Sequence, residues 1–250
     1  MLNLIKTFAA KVLRGTAQRL DPVAPRKRIP NPLQRSLDVL QSLSFQPKHI
    51  VDIGANHGDW TKVALRCFPD ANYSLVEPNP QLRPLLTDLL QSNSKISLYQ
   101  VGIGAENAEF TFNVHPDDTS SSFAFTAEEA QAMGCAPLTV PIRRLDTLLS
   151  GIDLPPPDLI KIDAEGLDLE VLKGAVAALA TCQVVYIECA VMCSSMPNDA
   201  LTVIQTMQGL GFRLFETSDS VRTKKHDCLW LLELVFIKTD GALARQVVFQ

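Results

Sequence analysis

The sequence predicts an α/β fold: a mostly parallel sheet with helices on both faces and an antiparallel last strand. Three observations carry the prediction. Short apolar runs alternate with helical stretches from residue 48 to residue 101, the pattern of parallel strands joined by right-handed crossovers. The first run, His49-Ile50-Val51, passes into Asp52-Ile-Gly-Ala-Asn-His-Gly58, an acid and two glycines where a buried strand must turn sharply into a helix. The alternation resumes at Asp158-Leu-Ile-Lys-Ile162 and ends on Leu229–Ile237, a run long enough for an antiparallel partner at the sheet's far side.

In chain order, Pro22, Pro25, Pro30 and Pro32 mark a linker or arm, because proline denies helix and central strand alike. A helix is expected at about Leu33–Leu43, then a strand at 50–53, a helix at 59–67, a strand at 73–76, a helix at 79–91 and a strand at 96–101. Glu109–Val114 alternates like a half-exposed strand, and Leu138–Ile142 reads as a short one, with Pro141 suited to an edge. Residues 105–150 therefore read as an insertion over the open end of the sheet, where α/β folds bind ligands. A strand at 158–162, a helix at 167–180, a strand at 184–187 ending at Glu188, a helix at 199–210 and two further strands complete the reading. The chain divides into an N-terminal arm, 1–47, and one domain, 48–250.

The glycine turn and a distant acid point to a nucleoside. A second strand ends in Glu77-Pro78-Asn79-Pro80, and a carboxylate there can accept hydrogen bonds from both ribose hydroxyls. The first turn reads Gly-x-x-x-Gly, unlike the Gly-x-Gly-x-x-Gly that brings backbone onto a pyrophosphate. Asp52, two residues before Gly54, would repel a pyrophosphate but can face an ammonium or sulfonium charge. The spacing thus favours S-adenosylmethionine over NAD.

A second constellation, Asp163-Ala164-Glu165-Gly166, places two carboxylates at the carboxyl end of a strand. One can take a proton while the other orients a substrate. Read by themselves, the same acids fit a second use equally well: Asp163 as a helix cap and Glu165 as a complement to the helix dipole.

Composition excludes several classes. The net charge is −4 and the pI about 5.6, so no global field draws the chain to nucleic acid. The six cysteines contain no Cys-x-x-Cys pair, which favours a reduced core over a metal site or a disulfide framework, and although carboxylates are available, no ligand spacing points to a metal. Residues 1–28 carry seven bases against the single acid Asp21, a balance of +6, which leaves −10 for the remainder. Leu2, Ile5, Ala9, Val12 and Leu13 lie near one face of a helix through this segment. A basic amphipathic helix of this kind fits an anionic membrane surface, or packs on the domain or on a second copy of the chain. Lys6 and Lys11 interrupt it, so it does not read as a secretory signal, and a cytoplasmic location is expected.

The motifs occur together in one order: Val51–Gly58, Glu77–Pro80, Arg144-Leu-Asp-Thr-Leu148, Asp158–Gly166, Leu169-Glu-Val-Leu-Lys-Gly174 and Tyr186-Ile-Glu188. This set, over roughly residues 48–190, resembles the FkbM-type methyltransferases, which use S-adenosylmethionine. The resemblance implies a class I methyltransferase (Rossmann-like) fold and methyl transfer to a hydroxyl oxygen of a sugar or natural product. It implies that Asp52, Gly54, Ala55, Asn56 and Gly58 frame the methionine end of the cofactor. Glu77 would hold the ribose with Asn79 supporting its turn, and Gly102 and Ile103 would flank the adenine. Asp163 and Glu165 would face the methyl group and acceptor, with Glu188 as a further contributor. His57 stands where the family varies, and reads as a pocket-edge residue.

For an alcohol acceptor, Asp163 is the first candidate base and Glu165 the second, ahead of His115 and His226. The polar segment 115–135 leans toward a hydroxylated acceptor such as a sugar. The competing readings are a non-catalytic S-adenosylmethionine-binding module held at a membrane or in an assembly, an NAD-dependent oxidoreductase disfavoured by the glycine spacing, and a nucleic-acid methylase disfavoured by the acidic body.

Overall fold

The structure is a computed structural model that describes residues 31–114, 134, 136–192 and 196–247. The basic helix expected in residues 1–28 lies outside the described residues, as do Cys135, Cys193, His115 and nearly all of the segment 115–135.

The chain opens with helix α1 (Pro32–Ser42), whose Leu37 and Leu40 are fully buried. Strand β1 (His49–Ile53), helix α2 (Asp59–Cys67) and strand β2 (Asn72–Val76) follow at the expected places, give or take one residue. The helix expected at 79–91 is instead a 3-10 helix, Pro80–Leu86, followed by α3 (Thr87–Ser92). Pro84 explains the difference: it has no N–H to give an α-helical bond and disfavours α geometry in the residue before it.

Strand β3 (Ile96–Tyr99) ends earlier than expected, and Gly102–Ile103 forms its own strand, β4, in a second sheet. That sheet has three strands in the order β4-β6-β5, where β5 is Ala108–Val114 and β6 is Ala136–Arg143. Pro141 was expected on an edge strand, but β6 is the central one. Edge character survives locally, because β4 pairs only with Ile142 and Arg143. The Arg143 carbonyl accepts from Gly104 N on the β4 side, and Pro141, two residues earlier, turns its nitrogen to the same side, before that pairing begins.

After α4 (Leu145–Ser150), β7 (Leu159–Ile162) re-enters the main sheet. The single helix expected at 167–180 is split into α5 (Asp168–Gly174) and α6 (Val176–Thr181). The break falls at Gly174, where the backbone comes so close to the second sheet that a Cβ would lie 2.0 Å from the Gly104 carbonyl oxygen. Strand β8 (Val184–Ala190), α7 (Ala200–Gly209), strands β9 (Phe212–Arg222) and β10 (Leu229–Lys238) and the short α8 (Ala242–Gln246) complete the fold.

The main sheet runs β3-β2-β1-β7-β8-β10-β9. Strands β3, β2, β1, β7 and β8 are mutually parallel, and β10 lies antiparallel between β8 and β9, the expected class I methyltransferase arrangement. The inner strands β1 and β7 are buried along their whole length, as parallel strands covered on both faces must be. Ile50, Tyr73, Leu159 and Tyr186 point to one core with α1 and α2, while Val51, Ile160, Val185 and Ile187 point to the other with α5, α6 and α7. The turns that leave β1, β2, β3 and β7 thus gather at one end of the sheet.

Candidate active site

A cleft opens at that end. Eight of the residues singled out from sequence line it: Gly54, Asn56, Glu77, Asn79, Gly102, Ile103, Asp163 and Glu165. Val76, Leu82 and Val101 supply apolar wall between them. Asp52, Ala55, Gly58 and His57 are not among the lining residues.

Glu77 is 5% exposed and both of its oxygens are used. Oε2 accepts from Asn56 N at 2.9 Å and Oε1 from Asn79 N at 2.8 Å, so the carboxylate ties the turns after β1 and β2 together. Burial pushes its carboxyl up, and the two backbone N–H bonds pull it back. Asn79 supports this turn by capping the 3-10 helix, its Oδ1 accepting from Gln81 N at 3.0 Å.

The glycines serve different ends. Gly54 adopts φ +74°, and a Cβ there would sit 1.9 Å from the Asp163 carbonyl oxygen, so only glycine lets the β1 and β7 turns meet. Gly58, at φ +72°, instead faces the Leu86 and Leu89 side chains and admits helix packing.

Beneath the cleft lies Asp52, wholly buried. Its Oδ2 accepts from Thr61 Oγ1 at 2.6 Å, and its Oδ1 stands 3.3 Å from Lys161 Nζ. Lys161 is likewise buried and donates to the Gly54 carbonyl at 2.8 Å, and its Nζ lies 3.3 Å from Asp163 Oδ2. Burial alone would lower the lysine pKa, but Asp163, Asp52 and Glu233 around it hold it above the usual range. Lys161 is therefore a fixed cation that joins the motif after β1 to the acid pair after β7.

The acid pair is held by a residue that the sequence reading missed. Helix α5 starts at Asp168, and neither Asp163 nor Glu165 caps it. Asp168, fully buried, accepts from Ala164 N at 2.9 Å, from Gly166 N at 3.3 Å and from Asn198 Nδ2 at 2.8 Å. Asn198 Nδ2 also reaches the Glu188 carbonyl at 3.4 Å, which links the turn to the end of β8. Glu165 sits within this turn at φ +50°. A motif-internal signal for Asp168 existed, an acid two residues after Gly166, but none pointed to Asn198, which lies 30 residues downstream.

Glu188 ends up opposite Glu233 of β10, whose Oε2 takes the Ser218 hydroxyl. Burial first, then the neighbouring carboxylates, pushes Glu165 and Glu188 up; burial drives Asp168 to about 7 and Glu233 to about 7. Behind Glu165 at the cleft thus lie three further carboxyl groups, Asp168, Glu188 and Glu233, all held above the usual carboxylate range by burial. Of the weaker base candidates, His226 lies on the exposed β9–β10 turn. Cys67, Cys182 and Cys189 are buried free thiols.

A family model for the methyltransferase FkbM domain matches residues 52–214, well over half of the chain and all of the cleft. The chain belongs to this family. A hexuronic acid methyltransferase, AglP, of Haloferax volcanii is 26% identical over 138 residues, 55% of this chain and 54% of the relative. The chain thus spans about half the length of that relative. A 2-O-methyltransferase, NoeI, of Sinorhizobium fredii is 26% identical over 191 residues, 71% of this chain and 78% of the relative. A crystal structure of an FkbM methyltransferase from Methylobacillus flagellatus aligns with a TM-score of 0.49 at 19% identity, over 74% of this chain and 43% of that one.

Proposed function

We propose that this FkbM-family chain transfers a methyl group from S-adenosylmethionine to a hydroxyl of a small acceptor, a sugar or sugar-like natural product. The carrying observation is that one cleft joins a buried carboxylate, Glu77, to an acid pair, Asp163 and Glu165, through an apolar wall. The residues suit an adenosyl ligand. Glu77 keeps lone pairs for ribose hydroxyls, Val101, Gly102 and Ile103 offer a narrow apolar slot for a flat base, and the carboxyl-rich end suits a sulfonium. Asp52 and Lys161 build the floor, and Gly54, Ala55 and Gly58 act by shaping the turn.

When bound, S-adenosylmethionine supplies an activated methyl group, so the protein's task is to align the acceptor and receive its proton. Asp163 takes that proton from the hydroxyl as the oxygen–carbon bond forms, and Lys161 keeps its carboxylate aimed. Glu165 hydrogen-bonds the acceptor's other hydroxyls, and Glu188, which is not among the lining residues, acts behind it. The names of the two relatives, one acting on a hexuronic acid and one a 2-O-methyltransferase, support a sugar hydroxyl as the acceptor class. The test is label transfer from methyl-labelled S-adenosylmethionine to a panel of neutral, amino and uronic glycosides. Labelled methyl ether from wild type and none from Asp163→Asn supports the reading. Tight cofactor binding with no transfer to any acceptor favours the non-catalytic binding module.

A further inference from the structure

Because β10 runs antiparallel to β8, it begins at the same end of the sheet as the cleft. Leu231 pairs with Ala190, and Val191 N donates to the Trp230 carbonyl at 2.7 Å. A bulge falls here, since Leu229 pairs with Arg222 while Leu231 pairs with Val221, and Trp230 is the extra residue. Bulges recur where a strand re-aims a side chain beside a site. Four large apolar side chains on this rim are exposed: Met192 at 71%, Trp230 at 40%, Val221 at 39% and Val191 at 37%. Large apolar side chains exposed close together on one rim favour a contact surface.

The turn beyond them is basic and well built. Thr223 N donates to the Cys228 carbonyl at 2.8 Å, Asp227 N to the Thr223 carbonyl at 2.9 Å, and Arg222 Nη1 to the Asp227 carbonyl at 2.6 Å. Arg222, Lys224, Lys225 and His226 are all exposed on it, with Asp227 as the one acid between Val221 and Trp230. The chain outside residues 1–28 carries −10, so these bases stand out from an acidic body. An anionic surface attracts the tip and repels the rest, which orients the molecule as it approaches. Bases bordering an exposed tryptophan and methionine match a bilayer interface, where headgroups meet the first methylenes.

We propose that the β9–β10 tip docks on anionic phospholipid: Arg222, Lys224 and Lys225 meet the headgroups, and Trp230, Met192 and Val221 enter the interface. Docking by this rim brings the cleft-bearing end of the sheet to the bilayer. The docking itself does not depend on the methyl-transfer reading.

The chain has two tryptophans, and Trp60 is buried at 9% exposure, so Trp230 emission reports the tip. Full-length protein is titrated with vesicles of phosphatidylcholine alone and of phosphatidylcholine with phosphatidylglycerol, following emission and co-sedimentation. Expected are a blue shift and co-sedimentation with the anionic vesicles only, and no shift in Trp230→Phe. Lys224→Ala/Lys225→Ala should weaken partitioning roughly twenty-five-fold, since each base near an anionic surface adds a multiplicative factor of about five. Unchanged melting temperatures would show that both variants fold. Co-sedimentation with no change in Trp230 emission would mean that another part of the chain binds lipid, and would overturn the proposal. So would no binding, equal binding to neutral vesicles, or a blue shift that grows with protein concentration without vesicles, which would identify a second copy of the chain as the occupant.

Discussion

Asn198 Nδ2 donates to Asp168 Oδ2 at 2.8 Å, and through that bond the end of β8 is tied to the turn that carries Asp163 and Glu165. The two residues are buried, and neither reaches the cleft lining. Their role is to position. Asp168→Asn replaces an acceptor of three N–H groups by a side chain with one acceptor oxygen and a surplus donor. The expected cost is about 1–3 kcal/mol of stability. We expect turnover to fall more than tenfold, with cofactor affinity changed by less than threefold. Steady-state kinetics beside calorimetric titration of S-adenosylhomocysteine would check this; equal losses in both would show that the clasp serves the cofactor instead.

Lys161 is the one described cation near Asp52, and removing it leaves a wholly buried carboxylate against the sheet floor. Lys161→Met should destabilise by about 3–5 kcal/mol, the cost of breaking a buried pair from one side. Lys161→Met/Asp52→Asn should recover a substantial part of the loss. Urea unfolding of these two variants and of Asp52→Asn measures the coupling, and additive losses would deny the pairing its structural role.

Gly54 has no room for a side chain, since a Cβ would stand 1.9 Å from the Asp163 carbonyl oxygen. Gly54→Ala should push the β1 and β7 turns apart and cost more than the roughly 1 kcal/mol of a positive-φ alanine. Gly58→Ala should cost less in cofactor affinity than Gly54→Ala, because Gly58 meets side-chain ends, those of Leu86, Leu89 and Lys62, and not the backbone of the β7 turn. Thermal unfolding with and without S-adenosylhomocysteine separates the two effects.

Stability should fall as pH rises. Asp168 and Glu233 are pushed up to about 7, and Glu165 and Glu188 are also raised, each by burial first. Unfolded carboxyls titrate near 4. Between about 4 and 7 the folded chain therefore binds more protons than the unfolded one. The stabilisation that goes with these protons is present below about 4 and lost as pH rises through 7. The melting temperature should drop from pH 5.5 to 8, by up to about 1.4 kcal/mol of stability per pH unit for each proton released. Glu233→Gln keeps an acceptor for Ser218 and should flatten the slope; a slope unchanged in that variant would assign the effect elsewhere.

Much of this fold was legible because its strands are short apolar runs ended by turns that demand particular residues. Asp52, Gly54, Glu77 and Asp163 announce themselves by standing at strand ends, and the structure places Gly54, Glu77 and Asp163 on one cleft. What was misread depends on contacts between distant segments. Gly174 reads as an ordinary helix interior until Gly104 is packed against it, and Pro141 reads as an edge until the short β4 is found beside β6, pairing only from Ile142 onward. Asn198 had no local pattern at all, since its partners Asp168 and Glu188 are assembled only by the sheet.

The most direct test is calorimetric titration of S-adenosylhomocysteine into wild type, Glu77→Ala and Asp163→Asn. Glu77→Ala removes the carboxylate and strands the N–H groups of Asn56 and Asn79, so its affinity should fall by about 2 kcal/mol or more, roughly thirtyfold. Asp163→Asn should bind as wild type does while its turnover drops by about 10²–10⁴. Wild-type protein that fails to bind, or a Glu77→Ala variant that binds unimpaired, would contradict the account.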